Sequence, residues 1–202
     1  MKKIYIFDLD GVLIDSRLNM KKSWEMVNKK LGYNIKFEKY FSKIGLPFQE
    51  ILTSLGVQKN KTTAEKIFKA TSLKNMKLIK FYPGVKSTLK KILKQGNEIA
   101  VITSKDLRRS KKILNKLKLN FSTIQSPRKS LKGKPNKDLM IKTFKETGFS
   151  ANSAFYIGDT MTDYNFAKKS KVKFIFAKYG YHKILKRPFD EIKKISEILK
   201  IK

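Results

Sequence analysis

Four apolar residues, Ile4, Tyr5, Ile6 and Phe7, run straight into Asp8-Leu9-Asp10-Gly11. The β-branched and aromatic content of that run suits a strand buried on both faces, the kind found inside a parallel sheet. Two carboxylates at the end of such a strand are costly to bury unless something pairs with them. A hard divalent cation such as Mg2+ takes oxygen ligands and tolerates a small cluster of acids. Gly11 removes a Cβ where the chain must turn and where a substrate could approach the backbone. Taken alone, the pair also fits an acidic turn after a strand, so the rest of the chain has to decide.

Downstream, helical and strand patterns alternate. Leu18, Met20, Trp24, Val27 and Leu31 mark a helix over 17–31 that stops at Gly32. Shorter helices are expected over 37–44 and 47–55, and one helix or a pair over 61–79, before Pro83-Gly84 punctuates the return. The stretch 16–82 therefore reads as a helical insert able to act as a lid. A helix follows over 85–94, then a buried strand from Glu98 that ends in Thr103-Ser104-Lys105. A basic helix over 106–118, a strand over 121–125, a loop over 126–135 and a helix over 136–147 come next. A strand over 154–157 ends in Gly158-Asp159-Thr160, followed by a helix over 161–169, a strand over 172–176 and a last helix over 190–200.

This alternation predicts an α/β fold: a doubly wound parallel sheet built from residues 1–15 and 83–202, with 16–82 as a helical cap. Ligands of such sheets sit beyond the carboxyl ends of the strands. Asp8, Asp10, Thr103 and Asp159 all fall at those ends.

Composition narrows the chemistry. The chain has no cysteine, which excludes disulfides and thiolate metal sites, and a single histidine, which excludes a multi-histidine site. No apolar run reaches the length of a membrane span, and the first one breaks into acid too early for a signal peptide; the expected location is the cytoplasm. The 47 Lys and Arg against 16 Asp and Glu give a formal charge of +31, enough to bind polyanions by counterion release. The lysines, however, are scattered along nearly every segment, without a basic stripe or interleaved stacking aromatics, so nucleic acid is not the expected partner. The field should instead attract anionic small molecules.

The acids recur in Gly158-Asp159-Thr160-Met161-Thr162-Asp163, where Asp159 can join Asp8 on a cation and Asp163, one turn on, can orient a lysine or a bound water. The competing reading is an N-cap aspartate with a first-turn acid. Thr103 offers a hydroxyl at a strand end, and Lys134 stands in the loop segment Lys132-Gly133-Lys134-Pro135-Asn136. Trp24, Phe48 and Tyr82 read as helix packing rather than as a substrate-facing aromatic set. His182, after Tyr179-Gly180-Tyr181, reads as a surface-loop residue.

Together these pieces resemble the haloacid dehalogenase superfamily, in its phosphoglycolate phosphatase and β-phosphoglucomutase group with a helical cap. The resemblance is carried in order by 7–16, Val101-Ile102-Thr103-Ser104-Lys105, Gly133-Lys134-Pro135 and 156–163, with Ile44-Gly45-Leu46-Pro47 and 81–85 similar to cap segments. It implies that Asp8 is the nucleophile and Asp10 the general acid and base. It implies a Mg2+ ion held by Asp8, the Asp10 carbonyl and Asp159, with Asp163 in support. Thr103, Ser104, Lys134 and backbone groups around Gly11 are implied to bind the phosphoryl oxygens. Ser104 stands where asparagine is frequent in the group, and Lys137 where a second proline often stands. The implied activity is hydrolysis of a small phosphorylated metabolite, phosphoglycolate or a sugar phosphate. A phosphomutase of the β-phosphoglucomutase type and a basic polyanion-binding protein retaining the fold are the alternatives.

Overall fold

The computed structural model describes residues 2–182 and 189–201. β1 (Ile4–Phe7) leads through a tight turn to the two-residue β2 (Ile14–Asp15). Four helices follow: α1 (Arg17–Leu31), α2 (Phe37–Phe41), α3 (Phe48–Ser54) and α4 (Lys61–Lys74), with a short 3-10 turn at Met76–Leu78. The chain returns through β3 (Lys80–Phe81) and alternates thereafter: α5 (Val85–Lys94), β4 (Glu98–Ile102), α6 (Leu107–Leu114), β5 (Thr123–Gln125) and α7 (Asp138–Thr147). It ends with β6 (Ala154–Gly158), α8 (Met161–Lys169), β7 (Lys173–Ala177), β8 (Asp190–Ile192) and a 3-10 helix at Ile195–Lys200.

Six strands form a parallel sheet in the order β5-β4-β1-β6-β7-β8. The connection leaving β1 leads towards β4 and the one leaving β6 leads towards β7. The two strands therefore diverge side by side, and the crevice beyond their carboxyl ends is the topological switch point. Register puts Phe7 opposite both Val101 and Ile157, so the segments after β1, β4 and β6 emerge level with one another. Strand side chains alternate between two cores, as the pleat requires. Tyr5, Phe7, Ile99, Val101 and Ile157 pack on one face beneath α5 and α6. Ile4, Ile6, Ala100, Ile102 and Tyr156 pack on the other with Leu139 of α7 and Phe166 of α8.

Helices α1 to α4 close on a third cluster of their own, centred on Trp24, Tyr40, Leu52 and Phe68. Trp24 is fully buried, stacks on Tyr40 at 4.5 Å and donates its Nε1–H to Ile35 O at 2.8 Å. It is a packing residue, as its helical spacing indicated. Both chain crossings into this layer run through the antiparallel β2–β3 ribbon, with Ile14 opposite Phe81 and Asp15 opposite Lys80.

Sequence and structure part at the chain's end. The expected helix over 190–200 is a short parallel strand, β8, followed by a 3-10 turn. Asp190, Glu191 and Ile192 pair with β7 instead, and Ile192 and Ile195 are buried in the first core. The β2–β3 ribbon was likewise not read from the sequence, because two-residue strands carry no periodicity. The helices expected over 61–79 and 106–118 each finish in a 3-10 turn, at Met76–Leu78 and Asn115–Leu117.

Candidate active site

The segment after β1 makes its turn with backbone groups: Leu9 O accepts from the N–H groups of Val12, Leu13 and Ile14, and Gly11 N–H donates to Ile14 O. Gly11 sits at φ +86°, and a Cβ there would lie 2.1 Å from Asp159 Oδ2. Gly180 is placed similarly, with a Cβ 2.6 Å from the same oxygen. Two loops thus reach the Asp159 carboxylate because they lack side chains at the point of contact. The Gly11 N–H, expected to serve a phosphoryl oxygen, is already donated within its turn.

Asp8, Asp159 and Asp163 are all buried, and each offers an oxygen to one cluster in which these atoms lie within 4.8 Å of one another. Their surroundings differ. Asp163 is saturated: Oδ1 accepts from Lys134 Nζ at 2.6 Å and Tyr156 OH at 3.0 Å, and Oδ2 from Thr160 Oγ1 at 2.6 Å, Thr160 N at 3.1 Å and Asp159 N at 3.3 Å. Thr160 and Asp163 form a reciprocal capping box at the start of α8, so the N-cap reading of this pair and its placement in the site both hold. Asp159 accepts one bond, from Tyr181 N–H to Oδ2 at 2.7 Å, while its buried Oδ1 has no partner.

Lys134 is fully buried and joins the acids, with Nζ 2.7 Å from Asp8 Oδ1 and 2.6 Å from Asp163 Oδ1. Tyr156 OH lies 3.1 Å from the same ammonium. Burial disfavours the charge on Lys134, but Asp163 and Asp8 outweigh it and hold its pKa above the ordinary lysine value. Burial pushes the Asp8 pKa up to about 7; Lys134 opposes the rise, while Asp163 and Asp10 add to it. Asp159 is pushed well above its ordinary value by burial first and by Asp163 and Asp8 next.

Asp10 stands outside this cluster, facing the helical layer. Its Oδ1 accepts a short hydrogen bond from Ser16 Oγ and pairs with Lys105 Nζ at 3.0 Å. Ser16 N–H in turn donates to Tyr181 OH at 2.6 Å. Thr103 is buried at the end of β4, and its hydroxyl accepts from Lys105 N–H at 3.1 Å. With Asp8, Asp10, Lys105 and Lys134 it borders a narrow cavity of about 60 Å3, roofed by Tyr40, Leu46, Phe48 and Ile51 of the helical layer. Ser104 also borders that cavity, but its hydroxyl donates to Gly45 O at 2.7 Å and ties the β4 loop to the layer above.

Sequence reasoning brought Asp8, Asp10, Gly11, Thr103, Ser104, Lys134, Asp159 and Asp163 to one place. It missed Tyr156, hidden as one more apolar strand residue, and Lys105, one lysine among many. It also missed Ser16, which carried no assigned role, and Tyr181, whose part depends on a loop returning from β7. His182 is corrected: it is half-buried, its ring stacks on Phe41 at 6.4 Å and its Nε2 is buried without a partner. Tyr181 and His182 both pack against Phe41 of the helical layer.

The model of the haloacid dehalogenase-like hydrolase family matches residues 5–177. The chain belongs to that family. It is 30% identical over 203 residues to a phosphoglycolate phosphatase of Aquifex aeolicus, with 95% of each chain covered. It is 27% identical to a phosphoglycolate phosphatase of Pseudomonas fluorescens over 90% of this chain and 71% of that one. In fold it matches a hydrolase from Pseudomonas syringae, with a TM-score of 0.87, 22% identity and 99% and 97% of the two chains covered. A haloacid dehalogenase-like hydrolase from Streptococcus pneumoniae superposes with a TM-score of 0.84, 18% identity and 98% and 97% coverage. This family member is an enzyme of the phosphatase type. Among its described residues no helix is long and apolar enough to cross a membrane.

Proposed function

We propose that the protein is a Mg2+-dependent phosphatase that hydrolyses a small phosphorylated metabolite through an aspartyl-phosphate on Asp8. The observation that carries this reading is the contrast between Asp163, whose carboxylate is saturated, and Asp159, whose buried Oδ1 lacks any partner beside Asp8. A buried carboxylate with a free oxygen and an elevated pKa calls for a cation. The donor set is all oxygen, which suits Mg2+. Asp8 and Asp159 would hold it together with the Asp10 carbonyl, and Asp163 would act through Lys134. When bound, the ion neutralises charge on the phosphoryl group and on the carboxylate that attacks it.

Asp8 attacks phosphorus, and the ester oxygen leaves with a proton from Asp10. Water then attacks the aspartyl-phosphate, giving its proton to Asp10, and inorganic phosphate departs while Asp8 is regenerated. Lys134 and Thr103 hold the phosphoryl oxygens. Residues 16–82 act as a cap: the helical layer has its own core, and its two chain crossings run together through the β2–β3 ribbon. The Ser104–Gly45 contact is then the latch of the closed form. Phosphoglycolate, the substrate named in the Aquifex aeolicus and Pseudomonas fluorescens relatives, and sugar phosphates are the first candidates. The cytoplasm is the location that goes with such substrates.

The test is phosphate release from phosphoglycolate, sugar phosphates and nucleotides, with Mg2+ and with chelator, for the native protein and Asp8→Asn. Chelator-sensitive release abolished by the substitution is expected. Release that survives Asp8→Asn would refute the nucleophile assignment, and isomerised product without release would make the enzyme a mutase.

A further inference from the structure

Next to the small cavity lies a second, larger one of about 480 Å3, and Phe48, Ser104 and Arg109 border both. Its size falls within the range of about 300–1,000 Å3 typical of small-molecule sites. Arg109 stands at the junction. It is 6% exposed, its Nε donates to Asp106, and its guanidinium lies 5.8 Å from the Phe68 ring centroid. Its Nη1 is buried with no hydrogen-bond partner. A desolvated guanidinium N–H left open is expensive, and an oxyanion is the acceptor that satisfies it best.

The neighbouring charges do not supply that acceptor. Asp106 takes the Nε side, Glu65 pairs with Lys69, and Asp10 is engaged by Ser16 and Lys105. Arg128 and Lys132 add positive charge to the same wall, and Glu50, the remaining acid on it, is exposed. Asp10, the proposed proton donor to the leaving oxygen, borders the small cavity with Arg109. An alcohol half that leaves a phosphoryl group at Asp8 by way of Asp10 would meet Arg109 on the wall of the same cavity.

We infer that Arg109 is a specificity-determining residue: its Nη1 binds an oxyanion on the alcohol half of the substrate, so the preferred ester carries a second anionic group several atoms from the scissile phosphate. The inference rests on the phosphatase reading above and adds to it the chemistry of the leaving group. A carboxylate and a second phosphate both satisfy it, and the choice of substrates separates them.

The experiment compares kcat/KM, with Mg2+, for three kinds of ester: those with a distal carboxylate (3-phosphoglycerate, 6-phosphogluconate), those with a distal phosphate (fructose 1,6-bisphosphate) and neutral ones (glycerol phosphate, glucose 6-phosphate). The native enzyme should prefer one of the anionic kinds. In Arg109→Met that preference over neutral esters should shrink roughly 10- to 100-fold, mainly through KM, as expected for a lost charged hydrogen bond. Arg109→Lys, which keeps the charge but not the fork, should fall between the two. A native enzyme that does not discriminate, or an Arg109→Met variant that loses all esters equally, would overturn the inference while leaving the phosphatase reading intact. Failure of the native enzyme to release phosphate from any of these esters and from phosphoglycolate would overturn that reading and this inference with it. Because the first arm uses the native protein, the inference stays refutable even if neither variant folds.

Discussion

Removing Lys134 tests how the buried acids are held together. Its ammonium is fully buried between Asp8 and Asp163, at 2.7 and 2.6 Å. Lys134→Met fills a similar volume but leaves both carboxylates without their cation. Deleting one partner of a buried ion pair typically costs about 3–5 kcal/mol, because the remaining charge is stranded. For a chain of this length each kcal/mol lowers Tm by about 2–4 °C, so the loss should be roughly 6–20 °C at pH 8 in chelator. The cost should also depend on pH with a definite sign. Burial raises the Asp8 pKa to about 7 in the folded protein, against Lys134, which lowers it. A raised folded value means that stability is full below the unfolded pKa and is lost as pH rises through the folded one. Without Lys134 the Asp8 value rises further and the loss deepens. The Tm deficit of Lys134→Met should therefore be smaller at pH 5.5, where Asp8 is neutral, than at pH 8. Mg2+ should restore part of it at pH 8. Thermal unfolding followed by circular dichroism, at both pH values and with chelator or Mg2+, reads all four conditions. Equal Tm for variant and native protein at pH 8 in chelator, or a deficit independent of pH, would refute the view that Lys134 compensates these acids.

Three further perturbations probe other parts of the same argument. Gly11→Ala places a Cβ 2.1 Å from Asp159 Oδ2 at a φ of +86°, so titration calorimetry should find Mg2+ affinity lowered at least tenfold; unchanged affinity would remove Asp159 from the ion's ligands. Thr160→Ala removes the hydroxyl that accepts from Asp163 N and donates to Asp163 Oδ2, and denaturant unfolding should report a loss of about 1–2 kcal/mol. Trp24→Ala empties the centre of the helical layer and should cost about 3–5 kcal/mol in the same assay, whereas a loss below about 1 kcal/mol would mean that the layer is not built around that ring.

What was legible in the sequence follows the range of the interactions involved. The strands β1, β4, β6 and β7 are continuous apolar runs, and their ends announce themselves by an abrupt change to Asp8, Thr103 and Asp159. The buried strand pattern survives a strongly lysine-rich composition because lysines fall mostly on helix faces and loops; within these strands the single lysine is Lys173, exposed at the start of β7. Lys134 was singled out only by its Pro135 neighbour, yet it is the most deeply buried lysine of the site. Lys105 and Arg109 gave no comparable signal, since neither spacing nor neighbours mark a buried cation among 47 basic residues. Tyr181 depends on a contact spanning 165 residues, from its hydroxyl to Ser16, which no local pattern encodes. The β8 segment was misread because Ile192, Ile195 and Ile198 have helical spacing, whereas pairing with β7 takes the first of them into the sheet.

The site contains four aspartates, and their surroundings separate the parts they play in the proposed reaction. Asp163 accepts hydrogen bonds from Thr160, Tyr156, Lys134 and the Asp159 N–H, which fixes the ammonium that meets Asp8. Asp159 is held by one backbone donor and keeps a buried oxygen free, the condition for a cation ligand. Asp8 is held through one oxygen by Lys134, which orients the carboxylate without occupying both oxygens, as an attacking group requires. Asp10 lies two residues on, just beyond the sheet, where Ser16 and Lys105 hold it towards the helical layer and the leaving group. Ser16 sits beside the β2–β3 ribbon through which the layer is attached, and Tyr181 touches both Ser16 and Asp159. Movement of the layer about that ribbon would therefore shift the proton donor, while Asp8, Lys134 and Asp163, bonded to one another, stay in place. In the proposed reaction that separation would let one set of residues stay rigid around the phosphoryl group while another completes the site as the layer closes.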